Sequence, residues 1–247
     1  MKISVITPAL NSSKTIAKCI ESIDRQNFLH VEHIIIDGNS VDGTIEIANR
    51  YLSSNRIVLS EPDTGIYEAM NKGISKASGE VIGILNSDDF YADSTILSTI
   101  NKTLEDTGID SCYGDLVYVD QSKITKLIRH WKSCSYNDKL FYKGWMPPHP
   151  TFFVRKRIYE KYGLYRLDFG TAADYELMLR FLLKYGISTQ YIPQVLVKMR
   201  SGGKSNVSLK NRIMANINDR KAWQINNLKP KPWTLYLKPL SKIIQYF

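Results

Sequence analysis

The sequence predicts an α/β fold built on a mostly parallel β-sheet, and three observations lead to this prediction. Short β-branched apolar runs recur at 3–6, 31–36, 57–59 and 81–85, as in buried strands. Segments with helical periodicity separate these runs, which implies parallel pairing through right-handed crossovers. Polar and turn-forming residues follow each run, at the position where the carboxyl ends of parallel strands line a ligand crevice.

The first predicted strand and helix illustrate the pattern. The strand, Ile3 to Ile6, stops before Pro8 and is followed by Asn11-Ser12-Ser13, which are favourable residues at a helix start. The next isoleucines recur at helical spacing and define the buried face of the helix: Ile16, Ile20 and Ile23.

The following units repeat this arrangement. The run 31–36 leads through Asp42-Gly43 into a predicted helix from Thr44 to Leu52, with Asp42 expected at the N-cap. After the run 57–59, a second amphipathic helix is defined by Ile66, Met70, Ile74 and Ala77. The strict alternation ends after residue 92. The elements predicted beyond it are a strand from Ser111 to Val119, a strand at 151–154, a helix from Asp174 to Tyr185, a loop at 201–205 and a linker at 229–232.

Composition favours a single α/β domain, with or without appendages. The chain has 247 residues, of which 43% are hydrophobic and 23% charged, enough to bury a substantial core. Its three cysteines, Cys19, Cys112 and Cys134, lack metal-binding spacing and favour a reducing compartment, so we expect a cytosolic location. We also expect no signal peptide and no membrane span, because every apolar stretch is too short.

The formal charge of +9 is concentrated near the C-terminus. Residues 198–247 contain eleven Lys and Arg but a single acid, Asp219, so the remainder of the chain is close to neutral. A basic segment of this kind favours an anionic partner, namely a lipid surface, a pyrophosphate group or a nucleic acid.

Two acidic stretches follow strands that should end at the same edge of the sheet. Asp37 closes the second strand, and Asn86-Ser87-Asp88-Asp89 follows the fourth. Hard carboxylate oxygens suit Mg²⁺ or Mn²⁺ held jointly with substrate phosphates, which makes Asp88 and Asp89 the candidate metal ligands. The alternative is that either residue only caps the next helix.

Asp37 is the candidate for base recognition, since a buried carboxylate can accept a hydrogen bond from a nucleobase ring N–H. Its alternative role is that of a turn residue before Gly38. The stretch from Gly38 to Thr44 lacks the lysine of a phosphate-binding loop, and no Gly-x-Gly-x-x-Gly follows any strand. These absences argue against a P-loop enzyme and a dinucleotide oxidoreductase.

Several motifs in order carry a family resemblance. They are Ile3 to Asn11, Ile36 to Thr44, Asp63 to Tyr67, Met70 to Gly73, Gly79-Glu80, Asn86 to Asp89, His149-Pro150, and Ala173 to Leu177 with Arg180. Together they resemble family 2 glycosyltransferases of the GT-A fold, particularly bacterial enzymes that build O-antigen, capsule or exopolysaccharide. The likeness is densest over residues 3 to about 90 and fades over the last forty or so.

The resemblance implies a domain organisation and a set of site residues. It implies a glycosyltransferase domain over 1–200, with a nucleotide-sugar-binding half at 1–92 and an acceptor-side half at 93–200, followed by a basic loop, helix and amphipathic tail at 201–247. Asp88 and Asp89 would hold the metal. The donor would contact Thr7, Pro8, Ala9, Asp37, Asn39, Asp63, Gly65, Asn71, Asn86, Ser87, His149, Arg200 and Lys204.

Asn86 departs from the family pattern, because it stands where the Asp-x-Asp motif usually has its first acid. Asp174 matches the general base of the inverting mechanism, and a carboxylate there could take the proton of an acceptor hydroxyl. Asp174 could also cap the helix that follows it. The family often has Glu-Asp at this point, whereas this chain has Ala173-Asp174.

Two further predictions concern loops. His149 could contact the diphosphate or the acceptor, or it could be structural. Arg200 and Lys204 flank Gly202-Gly203 and could close over the departing pyrophosphate, although solvated loop cations are the alternative.

The predicted tail helix is amphipathic, apart from an interruption at Pro239. Its cationic side carries Lys231, Lys238 and Lys242, and its apolar side carries Trp233, Tyr236, Leu237, Leu240, Ile244 and Phe247. The apolar side could dock on the protein body, a second copy or nucleic acid. Because the family's acceptors are usually lipid-linked, we expect a peripheral location on the cytosolic leaflet of the cell membrane and no nucleic-acid partner.

The sequence thus predicts a metal-dependent inverting glycosyltransferase. It would move a sugar from a nucleotide diphosphate sugar to a lipid-linked or glycan acceptor in bacterial surface polysaccharide synthesis. UDP is the favoured nucleotide, while a guanine could equally donate to Asp37. The alternatives are a sugar-phosphate nucleotidylyltransferase and a non-catalytic basic protein that binds lipid or nucleic acid. The sequence does not specify the sugar, the linkage or the oligomeric state.

Overall fold

The computed structural model describes residues 1–202 and 209–241, and one mixed sheet organises this part of the chain. Its strand order is β3-β2-β1-β4-β8-β6-β9-β5, and β7 pairs with the second half of β6. The strands are β1 Ile3–Ala9, β2 Val31–Asp37, β3 Arg56–Ser60, β4 Val81–Ile84, β5 Phe90–Tyr91, β6 Ser111–Val119, β7 Leu127–Trp131, β8 Phe153–Arg155 and β9 Thr189–Arg200.

Helices cover the sheet and complete its second half. The α-helices are α1 Ile16–Asp24, α2 Thr44–Arg50, α3 Ile66–Lys76, α4 Ile96–Thr103, α5 Lys139–Tyr142, α6 Lys156–Tyr162, α7 Ala173–Met178, α8 Leu209–Ile225 and α9 Thr234–Ser241. Helix α7 continues as a π-helical segment, Leu179–Lys184, and short 3₁₀ segments span His149–Thr151 and Leu167–Ala172. None of the helices in the described ranges is long and apolar enough to cross a membrane.

The first four strands are parallel, which confirms the predicted half-fold. In register, Ala9 of β1 lies opposite Asp37 of β2, and Asp37 lies opposite Ser60 of β3. Ile6 of β1 is paired with Ile84 of β4, so the same edge of the sheet continues into the residues after β4. The sequence predicts this edge correctly because crossover helices connect the four strands, three of which, β1, β2 and β4, are buried throughout.

Strand β8 joins the two halves of the sheet. It is antiparallel to β4, where Ile82 pairs with Val154, and antiparallel to β6, where Ser111 pairs with the same Val154. Strands β4 and β6 therefore run in the same direction. The carboxyl end of β6 consequently faces the same edge of the sheet as the carboxyl ends of β1 to β4.

One contiguous hydrophobic cluster spans both halves. Two glycines let neighbouring elements approach within it. A Cβ on Gly73 of α3 would lie 2.3 Å from Ile6, and a Cβ on Gly83 of β4 would lie 2.3 Å from Phe153. Both positions therefore exclude a side chain on packing grounds.

The predicted start of α2 at Thr44 is confirmed, but its predicted N-cap is wrong by one residue. Gly43, with φ +89°, is the N-cap, and Asp42 precedes it. The Asp42 carboxylate still accepts a hydrogen bond from the Thr44 N–H at 3.1 Å and another from the Ser13 N–H at 3.0 Å. Asp42 thus secures the helix start and the neighbouring loop from outside the helix.

His33 occupies the middle of β2 and is fully buried. Its Nδ1 accepts a hydrogen bond from the Arg56 Nε–H at 3.0 Å, so the neutral ring carries its hydrogen on Nε2, 3.0 Å from Thr7 Oγ1. Burial, and secondarily the positive charge of Arg56, lower the pKa of His33 well below its ordinary value.

This neutral histidine predicts a loss of stability in acid. An unfolded histidine takes up a proton below about pH 6.5, whereas native His33 does not, so the free energy of unfolding should decrease as the pH falls. The limiting slope from one such group is about 1.4 kcal/mol per pH unit. Urea unfolding from about pH 7.5 to about pH 5.5 should show a shallower pH dependence in His33→Gln than in wild type. Exposed His30→Gln is the control, and equal slopes in His33→Gln and wild type would contradict the assignment.

Helix α9 differs from the predicted tail in the direction of its lysine. Lys238, predicted on the cationic side opposite the apolar face, points into the protein and pairs with buried Asp219 at 2.7 Å. Trp233 and Tyr236, predicted on the same apolar face as Leu237, are 52% and 66% exposed. The predicted side chains of Leu240, Lys242, Ile244 and Phe247 lie outside the described residues.

Candidate active site

The loops after β1, β2 and β4 are tied together at the carboxyl edge of the sheet. The Gly38 N–H donates to the Ala9 carbonyl at 2.8 Å, and the Asn11 N–H donates to Ser40 Oγ at 2.7 Å. Ser12 then bridges to the fourth strand, with its Oγ 2.8 Å from Ser87 Oγ. These contacts join three of the predicted donor-binding segments at one edge of the sheet. We call this edge, formed by the residues that follow β1, β2 and β4, the lip of the sheet.

Asp37 is fully buried at this lip, and two serines hold its carboxylate. Oδ2 accepts hydrogen bonds from the Ser40 N–H at 2.9 Å and from the Ser60 hydroxyl at 2.8 Å, and Oδ1 accepts one from the Ser40 hydroxyl. An ionised carboxylate has about four acceptor positions, so acceptor capacity remains after these bonds. Recognition of a base by Asp37 stays a prediction.

Asp63 folds back over Gly38. A Cβ on Gly38 would lie 2.7 Å from Asp63 Oδ2, so only glycine allows this approach. Asp63 Oδ1 also accepts a hydrogen bond from the Gly65 N–H at 2.9 Å, just before α3 begins. Asn39 lies in the same loop as Gly38 and has a left-handed φ of +65°. The structure therefore brings Asn39, Asp63 and Gly65 to the lip beside Asp37.

The two aspartates after β4 differ in exposure. Asp88 is partly exposed, whereas Asp89 is fully buried. Asp89 Oδ1 accepts a hydrogen bond from the Arg200 N–H at 3.3 Å, and its Oδ2 lies 3.4 Å from the Asn86 amide nitrogen. Burial raises the pKa of Asp88, and burial together with the charge of Asp88 raises the pKa of Asp89 well above its ordinary value.

Arg200 reaches this lip from the end of β9. Its guanidinium lies 5.4 Å from the ring centroid of Phe90, and Nη1 donates to the Gln121 carbonyl at 3.2 Å. The Nε atom is buried and has no hydrogen-bond partner among the described residues. Lys204, the second predicted cation, lies outside the described residues.

Asp174 is the second residue of α7, and the alternative that it caps this helix is not what the structure shows. Ala172 is the N-cap, and Asp174 Oδ1 accepts a hydrogen bond from the next N–H, that of Tyr175, at 2.7 Å. His149 Nδ1 lies 3.3 Å from Asp174 Oδ2. The structure thus brings two residues predicted from separate motifs into direct contact.

Tyr67 connects this pair to the donor side. It lies in the first turn of α3, two residues after Gly65, and its phenol interacts with Asp174. Burial, followed by the negative charge of Asp174, raises the pKa of Tyr67 well above its ordinary value. Tyr67 therefore remains a phenol, not a phenolate, beside the carboxylate.

Two predicted donor residues have other partners. The Asn71 amide bonds to both backbone polar groups of Tyr165, donating to the carbonyl at 2.8 Å and accepting from the N–H at 3.0 Å. The Thr7 side chain is buried against His33, and the contact predicted for Thr7, Pro8 and Ala9 is through their backbone, which stays a prediction. The structure does not bring the Asn71 side chain or the Thr7 hydroxyl to the other site residues.

The sequence profile of glycosyl transferase family 2 matches residues 4–163, which include most of this lip. The chain belongs to glycosyl transferase family 2. It is 29% identical over 208 residues to a PGL/p-HBAD biosynthesis glycosyltransferase of Mycobacterium tuberculosis, covering 82% of this chain and 78% of the relative.

Solved structures of glycosyltransferases share the fold. TarS from S. aureus has a TM-score of 0.68 at 17% identity. The match covers 100% of this chain and 44% of TarS. TarS 1–349 was also solved with UDP-GlcNAc. The mannosyltransferase PcManGT from Pyrobaculum calidifontis, in complex with GDP-Man and Mn²⁺, has a TM-score of 0.68 at 18% identity and covers 96% of this chain and 68% of its own. The predicted GT-A fold is therefore confirmed.

The lip of this family 2 glycosyltransferase suits a cation shared with the substrate. In the described ranges, no group of three or more His, Cys, Asp or Glu side chains could hold a metal. Asp88 offers a partly exposed carboxylate, and Asn86 Oδ1 is a buried oxygen with no hydrogen-bond partner among the described residues. Mg²⁺ is commonly held by one or two carboxylates together with substrate phosphates, and this donor set fits that chemistry.

Sequence reasoning missed the residues that hold the predicted ones in place. Tyr67 lies inside the family motif that begins at Asp63, so the motif identifies Tyr67 as a candidate site residue but does not indicate its role. Ser60 supports Asp37 from the next strand, which only the strand register reveals. Arg180 forms a buried pair with Glu176 and also donates to the carbonyl of Leu164, thereby holding the segment that Asn71 contacts.

Proposed function

We propose that this enzyme transfers a sugar from a nucleotide diphosphate sugar to an acceptor hydroxyl, with inversion at the anomeric carbon and UDP as the favoured nucleotide. The observation that carries the proposal is the placement of the acidic residues. Strand register aligns Asp37 with the segment that holds Asp88, and Tyr67 links Asp174 to the neighbouring start of α3.

The chemistry assigned to Asp174 is general-base catalysis. Its carboxylate would take the proton of the acceptor hydroxyl while that oxygen attacks the anomeric carbon and the nucleoside diphosphate leaves. A single displacement of this kind inverts the centre. The Tyr175 N–H, His149 and Tyr67 all contact Asp174 and would fix the direction of its carboxylate.

The leaving diphosphate would bind on the donor side of the site, opposite Asp174. Asp88 and the Asn86 oxygen would hold Mg²⁺ or Mn²⁺, while Asp89, predicted as a second ligand, is fully buried 3.4 Å from the Asn86 amide nitrogen. When bound, such a cation supplies charge stabilisation to the departing diphosphate. Arg200 would add a positive charge at the same place.

Two solved neighbours support a nucleotide sugar as donor but differ in the base. TarS was solved with UDP-GlcNAc and PcManGT with GDP-Man. A panel of UDP-sugars and GDP-sugars, scored by the Mn²⁺-dependent shift of the thermal unfolding midpoint and then by hydrolysis of the best binder, tests the proposal. We expect stabilisation by one UDP-sugar, and a flat response across the whole panel would overturn the proposed donor class.

A nucleotidylyltransferase is the alternative enzyme, and a direct assay separates it. Release of pyrophosphate from UTP and a sugar 1-phosphate would support it. Membership of family 2 favours glycosyl transfer instead. We propose a lipid-linked or glycan acceptor in surface polysaccharide synthesis, and the similarity to a mycobacterial PGL/p-HBAD biosynthesis glycosyltransferase supports a biosynthetic role.

We also propose that the protein docks on the cytosolic leaflet of the cell membrane. Helix α8, helix α9 and the residue that precedes α9 expose four large apolar side chains: Met214 at 48%, Ile217 at 53%, Trp233 at 52% and Tyr236 at 66%. Lys231 lies 5.6 Å from the Trp233 ring. Exposed aromatics flanked by lysines favour the interface of an anionic bilayer.

Replacing Trp233 and Tyr236 together by Ser should reduce sedimentation with vesicles that contain phosphatidylglycerol. The expected loss is about tenfold, because two amphipathic rings leave the interface. Replacing exposed Leu29 and Leu127 by Ser is the matched control, since both side chains are apolar and far from α9 in sequence. Undiminished vesicle binding of the Trp233 and Tyr236 variant would exclude this surface.

A further inference from the structure

Helix α9 packs against the segment that precedes His149. The Thr234 hydroxyl donates to the Tyr142 carbonyl at 2.8 Å, and Leu235 is 4% exposed. A Cβ on Gly144 would lie 2.4 Å from the Lys238 backbone nitrogen. Gly144 also has a φ of +77°, so glycine is required both for this contact and for the local backbone. The backbone of α9 therefore rests directly on the chain five residues before His149.

Lys238 extends from this helix into the protein. Its Nζ lies 2.7 Å from each carboxylate oxygen of Asp219, and both side chains of the pair are largely buried. The same Nζ lies 3.5 Å from the ring centroid of Tyr175. Trp223 Nε1 donates to the Tyr175 hydroxyl at 2.9 Å, so α8 and α9 together fix the position of this ring.

Tyr175 transmits this contact to Asp174. The two residues are consecutive, and the Tyr175 N–H donates to Asp174 Oδ1 at 2.7 Å. A displacement of Tyr175 would therefore move the carboxylate relative to His149, which is 3.3 Å away. Helix α9 contacts the chain on both sides of this pair, through Gly144 on the His149 side and through Tyr175 on the Asp174 side.

We propose that Lys238 is a positioning residue for the reaction, acting through Tyr175 on Asp174. The proposal rests on the role of Asp174 given under the proposed function. Removing one partner of a buried ion pair leaves an uncompensated charge, so the pair holds α9 in one register. A displacement of about 1 Å in a reacting group costs roughly 100-fold in rate. The position of α9 should therefore affect the rate of the reaction.

The test replaces Lys238 by Met, which keeps an unbranched side chain of nearly the same length and removes the charge. With saturating donor and acceptor, we expect kcat to decrease by about 10- to 100-fold. The Kd of the nucleotide sugar should be unchanged, because the described contacts of Lys238, with Asp219 and Tyr175, lie on the Asp174 side of the site. Lys238→Arg should restore most of kcat, because it retains the charge and the contact with the ring.

Lys221→Met is the matched control. Lys221 also pairs with an aspartate at 2.7 Å, Asp168, and lies 4.7 Å from a ring, that of Phe169. Its ion pair is exposed, and it does not touch Tyr175 among the described contacts. We expect wild-type kcat for this variant. If Lys238→Met does not fold, Asp219→Asn provides the second variant, with the same expected decrease in kcat.

The outcomes separate this proposal from the proposed function. Wild-type kcat in folded Lys238→Met or Asp219→Asn overturns the role of Lys238, while an inactive Asp174→Asn in the same assay leaves the base in place. Full activity of Asp174→Asn overturns the base and, with it, any action of Lys238 through the base. A fall in kcat with an equal weakening of donor Kd and no recovery in Lys238→Arg indicates general destabilisation and also overturns the proposal.

Discussion

Asp174→Asn is expected to lower kcat by about 10²- to 10⁴-fold, the range that a general base contributes. The amide has nearly the shape of the carboxylate, so α7 and the contact with His149 should be retained. An amide, however, cannot take the proton of the acceptor hydroxyl. The Kd of the donor should remain close to that of wild type, because Asp174 acts on the acceptor side.

The measurement compares initial rates of sugar transfer at saturating substrates with donor affinity from calorimetry. Asp168→Asn is the control, since Asp168 is an exposed carboxylate six residues earlier whose only described ion pair is with Lys221. A turnover number for Asp174→Asn near that of wild type would remove Asp174 from the reaction. The base would then have to be sought elsewhere on the acceptor side.

Asp88→Asn is the second variant with a large expected effect. It should weaken Mn²⁺-dependent binding of the donor by more than about tenfold, because a partly exposed charged oxygen at the lip is lost. Donor binding in the presence of a chelator should change little. Asp93→Asn is the control, because this carboxylate lies just after β5 and is already hydrogen-bonded to Thr95 and Gln194.

Asn86→Asp is the complementary variant, because it should strengthen metal binding whereas Asp88→Asn should weaken it. Asn86 Oδ1 lacks a hydrogen-bond partner among the described residues, so a carboxylate there would add a charged ligand beside Asp88. We expect tighter Mn²⁺ binding and a stronger metal dependence of the thermal unfolding midpoint. Identical Mn²⁺ titrations for wild type, Asp88→Asn and Asn86→Asp would contradict a metal site at this lip.

The lip of the sheet could be predicted because it depends on local patterns. The β-branched runs identify the strands, and crossover helices determine that the strands are parallel, so Asp37 and Asp88 had to lie at one edge. The residues that hydrogen-bond to these aspartates could not be predicted in the same way. Ser60 reaches Asp37 only because β3 pairs with β2 in one particular register.

The C-terminal region shows where helical periodicity is insufficient. Periodicity distributes Lys238 and Tyr236 to opposite sides of α9, but it does not say which side faces the protein. Burial of Asp219 places the Lys238 side of α9 against the protein, because a buried carboxylate requires a cation and Lys238 is the residue that reaches it. Asn71 is a comparable case, since its partner Tyr165 lies 94 residues away along the chain.

The seating of Lys238 has a consequence for how the protein is made. Ribosomes synthesise chains from the N-terminus, and domains generally fold as units. The sheet, Asp174 and Asp219 are therefore all synthesised before the lysine that neutralises Asp219 and contacts Tyr175. If Lys238 positions Asp174 as proposed, the acceptor side can reach its final geometry only after α9 has been translated.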